Sequence, residues 1–264
     1  MSSAVIIAAG DFPTKPYPLY LLQAADIIVC CDSAFAKYLR RMHRIFGGER
    51  LPDAVIGDMD SLAKYLRLAY ADLIVQETEQ EHNDQTKAVR YVLNHYPDVT
   101  EIHILGATGL RADHTIGNLS LLMEYPRMFG KEISPCASLS RDDNNVISSE
   151  DPFVISSEDP FVISSEDPFV ISSEVEKSLP SIDIVSDYGT AFAVLDSVEL
   201  HVGAGRRFSL FSPDNSLRIR SEGLQWPTDD VVFDNWWKAT LNRTTADIVR
   251  LTFSHPSRAL VILD

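Results

Sequence analysis

Cysteine is scarce in this chain: three residues in 264, two of them adjacent at Cys30 and Cys31. That is too few for a disulfide framework and points to a reducing, cytoplasmic setting in which both are small buried residues. Cys136, in a polar stretch, carries no information. Basic residues are outnumbered, 23 Lys and Arg against 38 Asp and Glu, for a net charge of −15. Such a balance argues against nucleic acid or an anionic membrane as partner. Nucleotides stay open, because metal ions and a few local cations such as Lys87 and Arg111 can carry a polyphosphate. No apolar run reaches membrane-spanning length. No basic region precedes the apolar residues 4–9, which read as a first core strand and not as a secretory signal. A zinc-like Cys/His spacing and a nucleophile-elbow serine are both missing.

The length is enough for one large core or two smaller ones. Short apolar runs at 4–9, 27–31, 54–56, 73–75 and 102–105 alternate with amphipathic helical patterns at 17–25, 34–46, 62–69, 84–96 and 114–125. Nearly all-apolar strands alternating with helices imply a parallel sheet covered on both faces, whose ligands gather where the strands' carboxyl ends meet the loops. From residue 181 the pattern changes to short strand-like runs separated by Gly, Pro, Asp and Asn. That spacing predicts a β-sandwich or barrel. The expected fold is therefore an α/β parallel-sheet domain (1–130) followed by an all-β sandwich domain (181–264). Between them, residues 131–180 form a linker holding an eight-residue unit, Val-Ile-Ser-Ser-Glu-Asp-Pro-Phe, repeated identically from residue 146. Eight residues are few for a solenoid unit, and Asp-Pro interrupts any ladder. A tandem expansion in a poorly ordered surface loop is expected.

The run Pro52-Asp-Ala-Val-Ile-Gly-Asp-Met-Asp-Ser-Leu62 is the most informative. A strand ends at Gly57, and two carboxylates, Asp58 and Asp60, follow one residue apart. Extended backbone would project both to one side, where they repel unless a proton or cation sits between them. Mg²⁺ suits such a pair and bridges to substrate phosphates. The alternative is that Asp60 and Ser61 cap a helix starting at Leu62. Asp84 poses the same choice: a helix cap, or a metal ligand with Lys87 one turn on and on the same helix face. The run 105–118, Leu-Gly-Ala-Thr-Gly-Leu-Arg-Ala-Asp-His-Thr-Ile-Gly-Asn, places two glycines and Arg111 at a helix start, an anion site. It follows the fifth strand and lacks an acidic ribose partner, so phosphate contact is expected and not a dinucleotide. His114 reads as a positioning group. In the second half, Trp226 beside Pro227 ends a strand at a turn, where an indole could stack on a planar heteroaromatic ligand, including a cationic one. Trp236 and Trp237 read as core aromatics.

These runs, in this order, resemble the thiamine pyrophosphokinase family: Cys31-Asp32, 52–61, 84–87, 106–118, 223–227 and 240–242. The resemblance implies a homodimeric, Mg²⁺-dependent enzyme that transfers diphosphate from ATP to the hydroxyl of thiamine in a cleft between subunits. It implies that Asp32, Asp58, Asp60 and Asp84 form the metal and polyphosphate cluster, with Asp58, Asp60 and Asp84 as metal ligands. Lys87 and Arg111 would neutralise phosphate, Asp113, His114 and Asn118 would line the pocket, and Trp226, Thr240 and Asn242 would hold thiamine. Asp60 and Asp84 are the two choices for accepting the hydroxyl proton. The sequence departs from the family pattern at Ser33–Ala36, where Gly-Gly-Ala-Asn is usual, at Asn83 (Thr), at Leu110 (Gly) and at Leu241 (Ser). Two rival readings follow: a non-catalytic thiamine or nucleotide sensor with a decayed ATP site, and a related metal-dependent enzyme acting on another alcohol.

Overall fold

The computed structural model describes residues 2–129 and 180–264. The octapeptide repeats and Cys136, and with them the expectation of a disordered linker, lie outside the described residues. Five short strands of the first half, β1 (Ser2–Ile7), β2 (Ile27–Cys31), β3 (Ala54–Gly57), β4 (Ile74–Gln76) and β5 (Val99–Leu105), alternate with helices. The helices are α1 (Pro16–Ala24), α2 (Ala34–Phe46), α3 (Lys64–Ala69), α4 (Asp84–His95) and α5 (Ala112–Phe129). Neighbours β4-β3-β2-β1-β5 are all parallel. The chain leaves β1 toward β2 but returns on its other side at β5, so the sheet's switch point lies between β1 and β5.

β6 (Ser181–Ser186), which the sequence pattern groups with the second half, hydrogen-bonds parallel to β5 and extends the first sheet. A tight turn then reverses direction into β7 (Gly189–Val194). The remaining strands are β8 (Val198–His201), β9 (Arg207–Phe211), β10 (Ile219–Glu222), β11 (Ala239–Arg243), β12 (Ile248–Phe253) and β13 (Ala259–Leu263). One ten-stranded sheet results, ordered β11-β9-β13-β7-β6-β5-β1-β2-β3-β4, parallel at one end and antiparallel at the other. A separate three-stranded sheet, β10-β12-β8, faces the antiparallel end. Phe192, Phe208, Leu210 and Val261 of the large sheet and Leu200, Val249, Leu251 and Phe253 of the small one close a single buried cluster. Their alternation with exposed neighbours, as in β12, is what packs two sheets face to face. The parallel half has its own core, built from the uniformly buried strands β2 and β3 and from Ala34, Phe35 and Tyr38 of α2.

Trp236 and Trp237 are exposed, 47% and 53%, contrary to the expectation of core aromatics. Phe233 fills that buried position instead, and Trp236 lies over Phe211 at 5.4 Å between ring centroids. Among the described residues no helix is long and apolar enough to cross a membrane.

Candidate active site

Parallel strands deliver their following loops to one edge of the sheet. Asp32 follows β2, Asp58 and Asp60 follow β3, and Asp84 is the first residue of α4, which packs against β2 and β3. Gly57 is what lets them close together. A Cβ at that position, where φ is +156°, would stand 2.9 Å from Asp32 Cβ and 3.2 Å from Asp84 Oδ1. Any side chain would wedge the two carboxylates apart.

The backbone between Asp58 and Asp60 is not extended. Met59 is buried with φ of +68°, and the Asp60 N–H donates to Asp58 Oδ1 at 3.0 Å, a turn closed by the aspartate's own side chain. That hydrogen bond, first among its influences, holds the Asp58 carboxyl below the ordinary aspartate range. The helix-cap alternatives also fail. Helix α3 starts at Lys64 with Ala63 as its cap residue, so Asp60 and Ser61 cap nothing. The cap of α4 is Asn83, whose Oδ1 accepts from Thr86 N at 3.0 Å, leaving Asp84 free of that duty. Ser61 instead donates its N–H to Asp32 Oδ2 at 3.1 Å.

Electrostatically the cluster is strained. Asp32 is buried, and its Oδ1 has no hydrogen-bond partner among the described residues. Burial chiefly pushes its carboxyl above the usual range, with the charges of Asp58 and Asp60 adding to it. Asp84 is pushed up to about 6, mainly by burial, with Asp32 and Asp58 adding and the Lys87 ammonium opposing. Lys87 itself is almost fully buried: its Nζ donates to the Glu77 carbonyl at 3.0 Å and stands 3.9 Å from Asp84 Oδ1. Its ammonium is thus held between the Glu77 carbonyl and the Asp84 carboxylate.

The glycine loop after β5 meets the loop after β1 backbone to backbone: Gly10 N donates to Gly106 O and Asp11 N to Thr108 O. Gly109, at φ of +80°, leaves no room for a Cβ, which would fall 2.4 Å from Asp11 Cγ. Arg111 and Asp113 pair with each other at the start of α5, both about two-thirds exposed, and the guanidinium lowers the Asp113 carboxyl to about 2. His114 is exposed in the same turn. Asn118 is turned inward, donating to Ala107 O at 2.7 Å and accepting from Asn83 Nδ2 at 2.9 Å.

Trp226, Thr240 and Asn242 sit at the other end of the large sheet. Asn242 is buried and clamps the Trp226 backbone from both sides, accepting its N–H at 3.1 Å and donating to its carbonyl at 2.6 Å. Its backbone held in this way, Trp226 is 56% exposed. Thr240 is half-buried on β11, and Leu241 beside it is 84% exposed at φ of +61°. The structure thus brings Asp32, Asp58, Asp60 and Asp84 to one place, and Trp226 and Asn242 to another.

Several further groups stand at the acidic edge without any signal in the sequence. Gln80 Nε2 reaches Asp58 Oδ2 at 3.4 Å and Gln76 Nε2 its backbone carbonyl at 3.0 Å. Lys37 of α2 donates to the carbonyls of Ala9 and Gly10 at 2.6 and 2.7 Å. None carries a motif; only the strand order brings them to the edge. Among the described residues no three Asp, Glu, His or Cys side chains already stand in coordinating geometry. The donor chemistry nonetheless fits a hard divalent cation: oxygen ligands only, one buried carboxylate oxygen unpaired, and a neighbouring acid whose charge is opposed by its surroundings.

Residues 19–133, holding all four aspartates and the glycine loop, match the family model for the thiamin pyrophosphokinase catalytic domain. Residues 189–261, holding Trp226, Thr240 and Asn242, match the model for the thiamin pyrophosphokinase substrate-binding domain. The chain belongs to the thiamin pyrophosphokinase family. Among relatives, thiamine pyrophosphokinase 1 of Arabidopsis thaliana is 34% identical over 122 residues, 40% of this chain and 46% of that protein. Thiamine pyrophosphokinase of Bacillus subtilis is 37% identical over 76 residues, 27% of this chain and 35% of its own. The aligned stretches span less than half of these relatives. The crystal structure of yeast thiamin pyrophosphokinase superposes with a TM-score of 0.67 at 14% identity, covering 100% of this chain and 86% of that one. At that identity the likeness speaks for the fold, which family members share here from the parallel edge to the sandwich.

Proposed function

We propose that this chain is a thiamine diphosphokinase, using ATP and Mg²⁺ to convert thiamine to thiamine diphosphate with release of AMP. The observation that carries the reading is the convergence of Asp32, Asp58, Asp60 and Asp84 on the end of β3 around a glycine, with excess negative charge. Asp58, Asp60 and Asp84 would hold the metal, and Asp32, anchored by the Ser61 N–H, would sit behind them. Bound there, Mg²⁺ would neutralise phosphate oxygens, the main requirement of phosphoryl-type transfer.

In the reaction the thiamine hydroxyl oxygen attacks the β-phosphorus of ATP, and the bond from that phosphorus to the α–β bridging oxygen breaks. AMP leaves with the bridging oxygen. The hydroxyl proton passes to a nearby carboxylate, Asp60 or Asp84. Lys87 supplies a buried positive charge that keeps Asp84 from rising further. Arg111 would meet phosphate by exchanging its exposed partner Asp113, while His114 lines the same turn.

Thiamine would stack on Trp226, which is exposed and whose backbone Asn242 holds, with Thr240 beside it. This aromatic end cannot serve its own acidic edge. Seven strand spacings separate β11 from β2, about 34 Å at the usual interstrand distance. A homodimer in which one subunit's Trp226 faces the partner's carboxylates resolves the separation. The exposed Trp226, Trp236, Trp237 and Leu241 provide apolar surface for such a contact.

The test is product analysis with thiamine, ATP and Mg²⁺. AMP and thiamine diphosphate in equal amounts support the reading; ADP as product contradicts it. Thiamine binding by calorimetry with no turnover would assign the chain as a sensor instead.

A further inference from the structure

An N-cap needs only an acceptor, and Ser, Thr or Asp would serve at position 83 as well as Asn. Asn83 uses its acceptor for that purpose, taking the Thr86 N–H at 3.0 Å. Its amide is surplus to capping, yet it is engaged: Nδ2 donates to Asn118 Oδ1 at 2.9 Å. Asn118 in turn donates its own amide to Ala107 O at 2.7 Å. Two carboxamides in series therefore link the first turn of α4 to the glycine loop after β5. A second strut runs beside them, where buried Gln85 donates to the Asn118 carbonyl at 3.2 Å and to the Tyr125 hydroxyl at 2.9 Å.

Asp84 is the residue next to Asn83, and Ala107 lies between the two loop glycines, Gly106 and Gly109. The relay therefore spans the two parts that must act on one polyphosphate: the carboxylate edge and the backbone that approaches phosphate. We propose that Asn83 is a positioning residue that fixes Asp84 relative to the Gly106–Gly109 loop through Asn118. It rests on the functional reading above for its consequence in catalysis, and on hydrogen-bond geometry alone for the coupling itself. Asn118, with a hydrogen bond at each end of its carboxamide, is the second member of this relay.

The discriminating variant is Asn83→Thr, which keeps a capping oxygen and deletes the amide. The expected result is a KM for ATP raised threefold to tenfold, the range for losing one neutral hydrogen bond, with the KM for thiamine unchanged. Melting temperature should hold within about 2 °C, since a Thr cap is nearly as good as Asn. Hydrogen exchange of residues 106–111 should quicken in the full-length protein, a readout independent of turnover. On an Asn118→Ala background, Asn83→Thr should add nothing further, as two members of one relay are not additive. A wild-type KM for ATP with unaltered exchange in Asn83→Thr overturns the proposal, as do additive effects of the two substitutions. If wild type makes no AMP while exchange at 106–111 still responds to Asn83→Thr, the functional reading fails and the coupling stands.

Discussion

Replacing Asp84 by Asn should abolish activity and yet stabilise the protein at neutral pH. In the folded chain burial and the charges of Asp32 and Asp58 lift the Asp84 carboxyl from 3.8 to about 6. A shift of about two pKa units corresponds to roughly 3 kcal/mol. The side chain is 35% exposed, so solvent screening reduces this to about 1–2 kcal/mol. The sign follows from linkage. The folded state holds this proton more tightly than the unfolded state, so stability falls as pH rises from about 4 through about 6, and the full cost is present above that. Asp84→Asn removes a charge that the fold disfavours. Urea denaturation in the presence of chelator should show the variant more stable than wild type by about 1–2 kcal/mol at pH 8, with the gap closing toward pH 4. For a chain of this size that is a rise of roughly 2–8 °C in melting temperature. Added Mg²⁺ and a non-hydrolysable ATP analogue should stabilise wild type and leave the variant unmoved. A variant less stable than wild type at pH 8, or a difference independent of pH, would refute the reasoning: Asp84 would then be a satisfied partner of Lys87 and not a strained ligand.

Gly57→Ala should cost roughly 1–3 kcal/mol from overpacking against Asp32 and depress turnover by spreading the carboxylates; a fully active variant with native Mg²⁺ dependence would show that close approach there is unimportant. Trp226→Ala should raise the KM for thiamine about tenfold, the loss of one stacked aromatic contact, without altering the KM for ATP or the melting temperature; equal effects on both substrates would remove Trp226 from the thiamine site. His103, buried between Asp183 at 2.8 Å and Glu101 at 3.6 Å, is raised from 6.5 to about 10 by these carboxylates against the opposing effect of burial. Its contribution is therefore fully present below pH 6.5 and lost as pH rises through about 10. His103→Gln should destabilise by roughly 3 kcal/mol at pH 6 and flatten the alkaline loss, as followed by thermal melts across pH 6 to 10; an unchanged alkaline profile would contradict this.

Much of the parallel half was legible because its strands are short, apolar and evenly interrupted: β2 and α2 fall on the residues that periodicity marks, and every expected acid follows a strand or opens a helix. What the pattern could not convey was pairing. Nothing in the 181–186 run, taken alone, distinguishes a sandwich strand from the sixth strand of a parallel sheet, and only its register with β5 decides it. The sequence pattern does not mark β11, because its bulge at Leu241 breaks the two-residue alternation. The extended reading of residues 58–60 failed because Met gives no hint of a left-handed conformation, which here is enforced by burial of its side chain and by the Asp58–Asp60 turn. Lys87 shows the same limit. Helical spacing places it on Asp84's face, but burial beneath Glu77 and Asp84 depends on how α4 lies across β2 and β3.

In the proposed enzyme, carboxylates from two separate elements, Asp58 and Asp60 after β3 and Asp84 at the start of α4, meet at one divalent cation. Mn²⁺ binding followed by electron paramagnetic resonance, with a non-hydrolysable ATP analogue present, tests it directly. The account predicts tight binding by wild type and at least a tenfold loss in each of Asp58→Asn and Asp84→Asn, equivalent to about 1.4 kcal/mol per ligand. Undiminished Mn²⁺ affinity in both variants would contradict it.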